Sequence, residues 1–316
     1  LQPYSDYQRM IDNESLDAVV VSTPHTFHYE HASAALNAGC HVLLEKPMAT
    51  REQDCRDLVR LAEEKDRVLQ IGFECRNSHM YRRVKDILDS GEIGRLLSIS
   101  FVHYRSQWKS PWYCRRDMAG TMSIIETCHY IDLMRFWAER EVEWVFASAP
   151  STNLKTNYDY PDTTFAQLGF EDGISANIID SHARAAENFP AATDGPYGST
   201  EGGYLDPIFG HQFEYSLVGD AGALWVRMLA KQISVFEPVT AANQTHQLHL
   251  SRVEDMNKLS LHDLIHRTEK IDAHFVNLIR NDTPETAAHR DALNTHLVAL
   301  AIEQSEEQQE KVTIEY

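Results

Sequence analysis

The chain has 316 residues, 43% of them hydrophobic and 24% charged. This is the composition of a soluble globular protein long enough for two domains with sizeable cores. Its 29 basic against 47 acidic side chains give a net charge of −18, which argues against nucleic acid or an anionic membrane as a partner. The five cysteines, Cys40, Cys55, Cys75, Cys114 and Cys128, form no CxxC pair, and their odd number fits reduced thiols in a cytoplasm rather than a disulfide framework. No apolar stretch approaches the roughly 18–20 residues of a membrane span, and no signal-peptide pattern opens the sequence. Its first residue is Leu1, not methionine.

In chain order, residues 17–22 (DAVVVS) are a β-branched run of strand length, apolar at nearly every position, as a parallel strand buried on both faces requires. Residues 27–38 predict a helix closed by Gly39, and 41–45 the next strand. Thr50-Arg-Glu-Gln53 has the pattern of a capping box opening a helix to about Lys65, and 67–73 predict a third strand. Strand and helix alternating with short joints predict a doubly wound parallel sheet. The pattern then changes. A helix over 78–90, broken by Gly91 and Gly94, leads to a strand over 96–104 and an amphipathic helix over 123–139. Alternating runs follow at 142–149, 163–170, 174–181, 213–218, 222–227 and 232–237, then helices near 260–281 and 285–307 and a strand over 312–316. These predict a mostly antiparallel sheet with helices on one face. The stretch 187–211, rich in Gly, Pro, Asp and Ser, fits no strand and reads as a lid, an interface arm or a disordered segment. No internal repeat is visible.

Chemistry concentrates at a few positions. Glu45-Lys46-Pro47 directly follows the apolar run His41-Val42-Leu43-Leu44, and strand ends are where open α/β sheets put their ligands. Partial burial is expected to lower the Lys46 pKa from its ordinary value of about 10.4, allowing proton exchange. Glu126, His129 and Asp132, spaced by three, share one helix face within roughly 120°. A histidine flanked by acids can accept or return a hydroxyl proton. Asp132 is expected to orient His129 or to bind a substrate hydroxyl. Glu126 closes a second capping-box pattern, Ser123-Ile-Ile-Glu126, and reads as structural. His25, His28 and His31 have metal-like spacing, but no nearby Cys or Asp completes a ligand set, so no metal is expected. The aromatic group Tyr104, Trp108, Trp112 and Tyr113, with Arg105, Arg115 and Arg116, suits either a sugar-like substrate or a packed strand edge and loop.

The segment from Asp17 to Pro47, joined to Thr23-Pro24-x-x-x-His28 at one strand end and to His129-x-x-Asp132 about eighty residues further on, resembles one family: the glucose-fructose oxidoreductase / inositol dehydrogenase group of NAD(P)-dependent enzymes. The resemblance spans nearly the whole chain. It implies an α/β fold, with a partial Rossmann-type parallel sheet in residues 1–95 and an α+β substrate-binding and oligomerisation domain with a large, mostly antiparallel sheet in residues 96–316. It further implies NAD or NADP as cofactor, lined by Ser22, Thr23, Pro24, His28, Glu45, Lys46 and Arg76, and catalysis by Lys46, His129 and Asp132. Arg76 either contacts cofactor or substrate or ties the domains together. The implied reaction is hydride transfer to or from a sugar, cyclitol or other polyhydroxy substrate, with Lys46 favouring negative charge on the reacting oxygen, in a cytoplasmic homodimer or homotetramer. An NAD-assisted glycosidase or isomerase, or a non-catalytic sensor, are the alternatives. Two departures stand out. No GxGxxG phosphate loop is present, so a continuation upstream of Leu1 is expected. The aspartate usual in that family four residues before the histidine is Ile125 here.

Overall fold

Three short apolar strands, β1 (Ala18–Val21), β2 (His41–Leu44) and β3 (Leu69–Ile71), lie parallel in the order β1-β2-β3. The structure, a computed structural model, describes residues 2–105, 110–151, 158–182, 212–239, 247–260, 263–264, 267–281 and 286–316. The segment 187–211 and Trp108 lie outside the described residues. Helix α1 (Tyr7–Asn13) precedes β1, capped by the Asp6 side chain. A 3-10 turn (His25–Phe27) leads into α2 (His28–Asn37), and α3 (Glu52–Lys65) connects β2 to β3. Helix α3 buries the stripe Cys55, Leu58, Val59 and Ala62, the spacing that seats a helix on a sheet. The capping box expected at Thr50 is not made. The helix starts at Glu52, its cap Arg51 makes no side-chain capping bond, and the Arg51 guanidinium instead donates to both Asp54 oxygens.

After a 3-10 turn (Glu74–Asn77) and α4 (His79–Asp89) the chain enters the second sheet. Its nine strands are β4 (Leu96–Tyr104), β5 (Val142–Ser148), β6 (Thr163–Phe170), β7 (Ser175–Ser181), β8 (Gln212–Gly219), β9 (Ala223–Arg227), β10 (Gln232–Pro238), β11 (Leu248–Asp255) and β12 (Val312–Thr313). They run in the order β11-β10-β9-β8-β4-β7-β6-β5-β12, and only β4 and β7 pair in parallel. The small parallel and large, mostly antiparallel sheets are the architecture expected. Strand β11 was not legible because it lies at the sheet's edge and is exposed along most of its length. Without a buried face there is no apolar alternation to read. At the other end of the sheet β6 needs a glycine. A Cβ on Gly169 would meet the indole of Trp144, its partner on β5, at 2.2 Å.

The inner face of the large sheet is covered by α6 (Cys128–Ala138), which continues a π-helical turn (Ser123–Thr127), and by the long helix α8 (Thr286–Gln308); the short α5 (Arg116–Ala119) packs on the 3-10 turn His25–Phe27, and α7 (Thr268–Arg280) lies nearer the parallel sheet. Helix α6 is buried nearly all round, since it is packed between the sheet and α8. Helix α8 also touches α3 and β3, so one helix braces both sheets. The single amphipathic helix expected over 123–139 is thus two pieces, and the Ser123 capping box is absent. The residue before the turn, Met122, is itself helical and makes no capping bond, which releases Glu126 for other partners.

Candidate active site

The strand-end segments after β1 and β2 lie side by side, since Val21 pairs with Leu44. One buried ring holds them together: His28 Nδ1 is 2.6 Å from the Pro47 carbonyl and its Nε2 is 2.9 Å from that of Thr23. Thr23 Oγ1 meets His31 Nδ1 at 3.1 Å. Lys46 emerges from this junction, ahead of a cis peptide bond to Pro47, and crosses to the other domain. Its Nζ donates to the Ile125 carbonyl at 2.6 Å and lies 3.8 Å from Glu126 Oε2. A π-helical turn is a frequent companion of functional sites, and here its backbone receives the lysine.

Glu126 is the anion of this layer. It accepts from Arg105 and from Tyr130 Oη, the latter at 2.9 Å, as well as facing Lys46. Burial alone would raise its carboxyl, but Arg105 and Lys46 outweigh that and hold it well below the usual carboxylate range. The reciprocal effect corrects the expectation for Lys46. Burial does act to lower its pKa, yet Glu126, with smaller help from Tyr113 and Glu74, overrides it and raises the lysine above its ordinary value. Lys46 is therefore a fixed cation, not a proton-exchanging amine. Glu126 is correspondingly the ion-pair partner of Lys46 and Arg105 and not a cap.

His129 follows one turn later. Its Nδ1 faces Cys75 Sγ at 3.7 Å and Glu74 Oε2 at 4.0 Å, both from the 3-10 turn after β3. Phe73 meets the ring edge-on with centroids 6.0 Å apart. Asp132 does not orient His129. Its carboxylate takes a two-pronged bond from Arg76, at 2.6 and 2.5 Å, and a third from Thr295 Oγ1 at 3.1 Å. Arg76 also reaches Asp291 at 2.7 Å and lies over the Phe136 ring. Burial pushes the Asp132 carboxyl up while Arg76 pulls it back. The 3-10 turn after β3, α6 and α8 are thus joined through the Arg76 guanidinium and the Asp132 carboxylate.

The three histidines with metal-like spacing do not converge. His25 Nδ1 donates to the Ala119 carbonyl at 2.9 Å, while His28 and His31 make the separate contacts above. His25 stacks edge-on against Trp112 and Tyr113, and burial with the nearby Lys46 charge pushes its pKa down to about 3. Arg115 pairs with Asp117, and Arg116 with Glu303 and Glu307. These two arginines are thereby engaged by acids, and the aromatic pair packs on His25. Glu74, and the Arg105–Glu126 bond, were missed by sequence reasoning. The first had a signal, since it lies just past a parallel strand end as Lys46 does. The second joins the residue just past β4 to the π turn over 21 residues of chain and had none.

The residues present fit a nicotinamide cofactor at the carboxyl ends of β1 and β2. Ser22 and Glu45 are exposed there, and Thr23, Pro24 and Lys46 are half-buried.

Comparison with known proteins bears on this site. The family model for the NAD-binding Rossmann fold of the GFO/IDH/MocA oxidoreductase family matches residues 1–73, and that for the GFO/IDH/MocA C-terminal domain matches residues 81–224. Inositol 2-dehydrogenase 2 of Saccharopolyspora erythraea is 33% identical over 176 residues, covering 55% of this chain and 50% of the relative. The 1-carboxy-3-chloro-3,4-dihydroxycyclo hexa-1,5-diene dehydrogenase of Comamonas testosteroni is 30% identical over 183 residues, covering 56% and 45%. The chain thus spans about half the length of the curated relatives it matches. Among solved structures, levoglucosan dehydrogenase in complex with NADH and levoglucosan superposes with a TM-score of 0.76 at 19% identity, covering 99% of this chain and 84% of that one. The aldose-aldose oxidoreductase from Caulobacter crescentus gives 0.73 at 19%, covering 98% and 83%.

Proposed function

The chain belongs to the GFO/IDH/MocA oxidoreductase family, and from that premise we propose that it serves an NAD(P)-dependent dehydrogenase or reductase acting on a hydroxyl carbon of a sugar, cyclitol or related polyhydroxy compound. One observation carries the reading. Lys46, from a parallel strand end, reaches the backbone of Ile125 on the helical segment that presents His129 one turn later, so a cation and an imidazole are brought to the same short segment, on either side of Glu126 in sequence. The curated relatives that act on inositol and on a dihydroxycyclohexadiene support the substrate class.

A nicotinamide bound at Ser22, Thr23, Pro24, Glu45 and Lys46 would supply the hydride acceptor or donor. The chain's own residues do the rest. Lys46, held charged by Glu126, stabilises negative charge as it grows on the substrate oxygen. His129 turns Nδ1 toward Glu74 and Cys75, so Nε2 takes the hydroxyl proton on oxidation and returns it on reduction. Asp132 and Arg76 hold the helix carrying His129 against α8. His28 fixes the two strand-end segments that frame the cofactor.

The outer face of the large sheet carries Phe146, Phe165, Val218 and Trp225, exposed by 44, 39, 40 and 37%. Such a patch supports a homodimer or homotetramer formed through this sheet. Five buried cysteines with no disulfide among them fit a reducing, cytoplasmic compartment. Among the described residues no helix is long and apolar enough to cross a membrane.

The test is nicotinamide absorbance during turnover over a panel of polyols and sugars, with NAD and NADP, for the wild type and for His129→Ala. The reading expects oxidation of at least one polyhydroxy substrate and its loss in the variant. Wild-type turnover by His129→Ala would overturn the assignment.

A further inference from the structure

Glu74, Cys75 and His129 each present one donor atom, and the three donors lie within 4.8 Å of one another, the one such set among the described residues. All three residues are buried, at 8, 2 and 4% exposure. A tetrahedral zinc-class ion with sulfur at about 2.3 Å and nitrogen at about 2.0 Å places those two donors about 3.5 Å apart. Cys75 Sγ and His129 Nδ1 are 3.7 Å apart. Glu74 Oε2, at 4.0 Å from the same nitrogen, lies beyond the corresponding separation by less than about 1 Å, within reach of a side-chain torsion. Both contacts converge on Nδ1, so the set shares one focus.

The surroundings favour a cation. Glu74 and Glu45 repel one another, and the positive charge of Lys46 is already matched by Glu126. A thiol, an imidazole and one carboxylate select zinc-class ions over magnesium or calcium, which demand oxygen shells. We propose that Glu74, Cys75 and His129 bind one thiophilic divalent cation of the zinc class, and that occupancy switches off proton transfer at His129. The second half rests on the reading of His129 as the proton-transferring group. Coordination replaces the Cys75 S–H bond by a sulfur–metal bond and releases that proton to solvent. A neutral imidazole coordinated through Nδ1 carries its proton on Nε2. The nitrogen that takes the substrate proton then has no lone pair to receive it.

Purified protein, freed of metal, is titrated with cobalt(II) and zinc(II). The expected result is one ion per chain, a sulfur-to-cobalt charge-transfer band, and binding weakened at least tenfold in Cys75→Ser and in Glu74→Gln. Both variants are checked for wild-type melting. Cobalt binding without the sulfur band, or unchanged binding in both variants, overturns the site. Nitrogen-15 spectra of the histidines test the switch without any turnover. Zinc should place the His129 proton on Nε2 in the wild type and leave it unmoved in Cys75→Ser, whereas an unmoved proton in the zinc-loaded wild type overturns the switch. In the turnover assay zinc should inhibit the wild type, and the zinc concentration for half inhibition should rise at least tenfold in Cys75→Ser, read against that variant's own metal-free rate. If turnover is absent without metal, the dehydrogenase reading fails, while the cobalt titration still decides the site.

Discussion

Lys46 and His129 both act on the Glu126 carboxylate, and their surroundings differ in kind. Around Lys46 every polar contact fixes a charge. Glu126 is anchored by Arg105 and Tyr130, the Ile125 carbonyl takes a lysine N–H, and the neighbouring rings of His25 and His296 are pushed down to about 3 and about 4 by burial and stay neutral. Around His129 stand a thiol and a carboxylate at 3.7 and 4.0 Å from Nδ1, groups that themselves exchange protons. A group that only stabilises charge gains from rigidity. A group that must gain and lose a proton needs partners that tolerate both states.

The contrast is broken most severely by removing the fixed charge. Lys46→Met keeps the length of the side chain and deletes the cation, and kcat should fall by about 10²–10³, some 3–4 kcal/mol, with substrate KM little changed. Steady-state kinetics with the nicotinamide signal check this. A loss confined to KM would mean that Lys46 binds substrate without acting in the transition state.

Asp132→Asn separates a structural tie from a catalytic orienter. Removing the charge opposite Arg76 should cost about 3 kcal/mol of stability, read by urea unfolding, while the pH dependence of kcat keeps its wild-type midpoint. A shifted midpoint with unchanged stability would restore Asp132 as the partner of His129.

The neutral histidines give the Lys46 side an acid sensitivity. His296 donates from Nδ1 to the Ala292 carbonyl at 2.8 Å and accepts the Met48 N–H on Nε2 at 2.6 Å, so protonating Nε2 removes an acceptor and buries a charge. With His25 and His296 depressed below the unfolded value of about 6.5, the unfolded state binds more protons between that pH and the folded values. Stability should therefore rise with pH across that window and fall as pH drops below about 6.5, by about 1.4 kcal/mol per pH unit for each ring. Melting temperatures between pH 7 and pH 5 test it; His28, His182 and His289 are depressed too, so His296→Gln should lower the slope by one ring's share and leave the rest. An unaltered slope would place the acid sensitivity elsewhere.

How far the sequence could be read follows the same division. Lys46 was legible because its position rests on local order: an apolar strand of parallel type, a charged residue at its end, and a second strand end at Thr23-Pro24 beside it. The helix bearing His129 was legible from its periodicity. What His129 touches was not, because Glu74 arrives from 55 positions earlier across a domain boundary. Spacing by three pointed to Asp132 instead. Two acids on one helix face are indistinguishable in sequence, and tertiary packing gave one to Arg76 and the other to Lys46. The two capping-box patterns failed for a related reason. In each the residue that should reach back to the helix start has another partner: Gln53 donates to Asp57 four residues on, and Glu126 is taken by Arg105.

Glu126 gives the smallest and sharpest test of the comparison. If it acts through Lys46, then Glu126→Gln retains the shape and the Tyr130 contact while removing the charge that keeps the lysine protonated. Burial then dominates at Lys46, and its pKa falls. At neutral pH the cost should be modest, about tenfold in kcat or roughly 1.4 kcal/mol. The diagnostic is the alkaline limb of the kcat–pH profile. The wild type should show no loss from Lys46 deprotonation up to the ordinary lysine range, whereas Glu126→Gln should lose activity at distinctly lower pH. A residue that merely closed a helix would lower stability and leave that limb in place. A fixed limb together with wild-type kcat would show that Arg105 and the Ile125 carbonyl suffice to set the cation, and that the rigidity of the Lys46 side owes nothing to its acid.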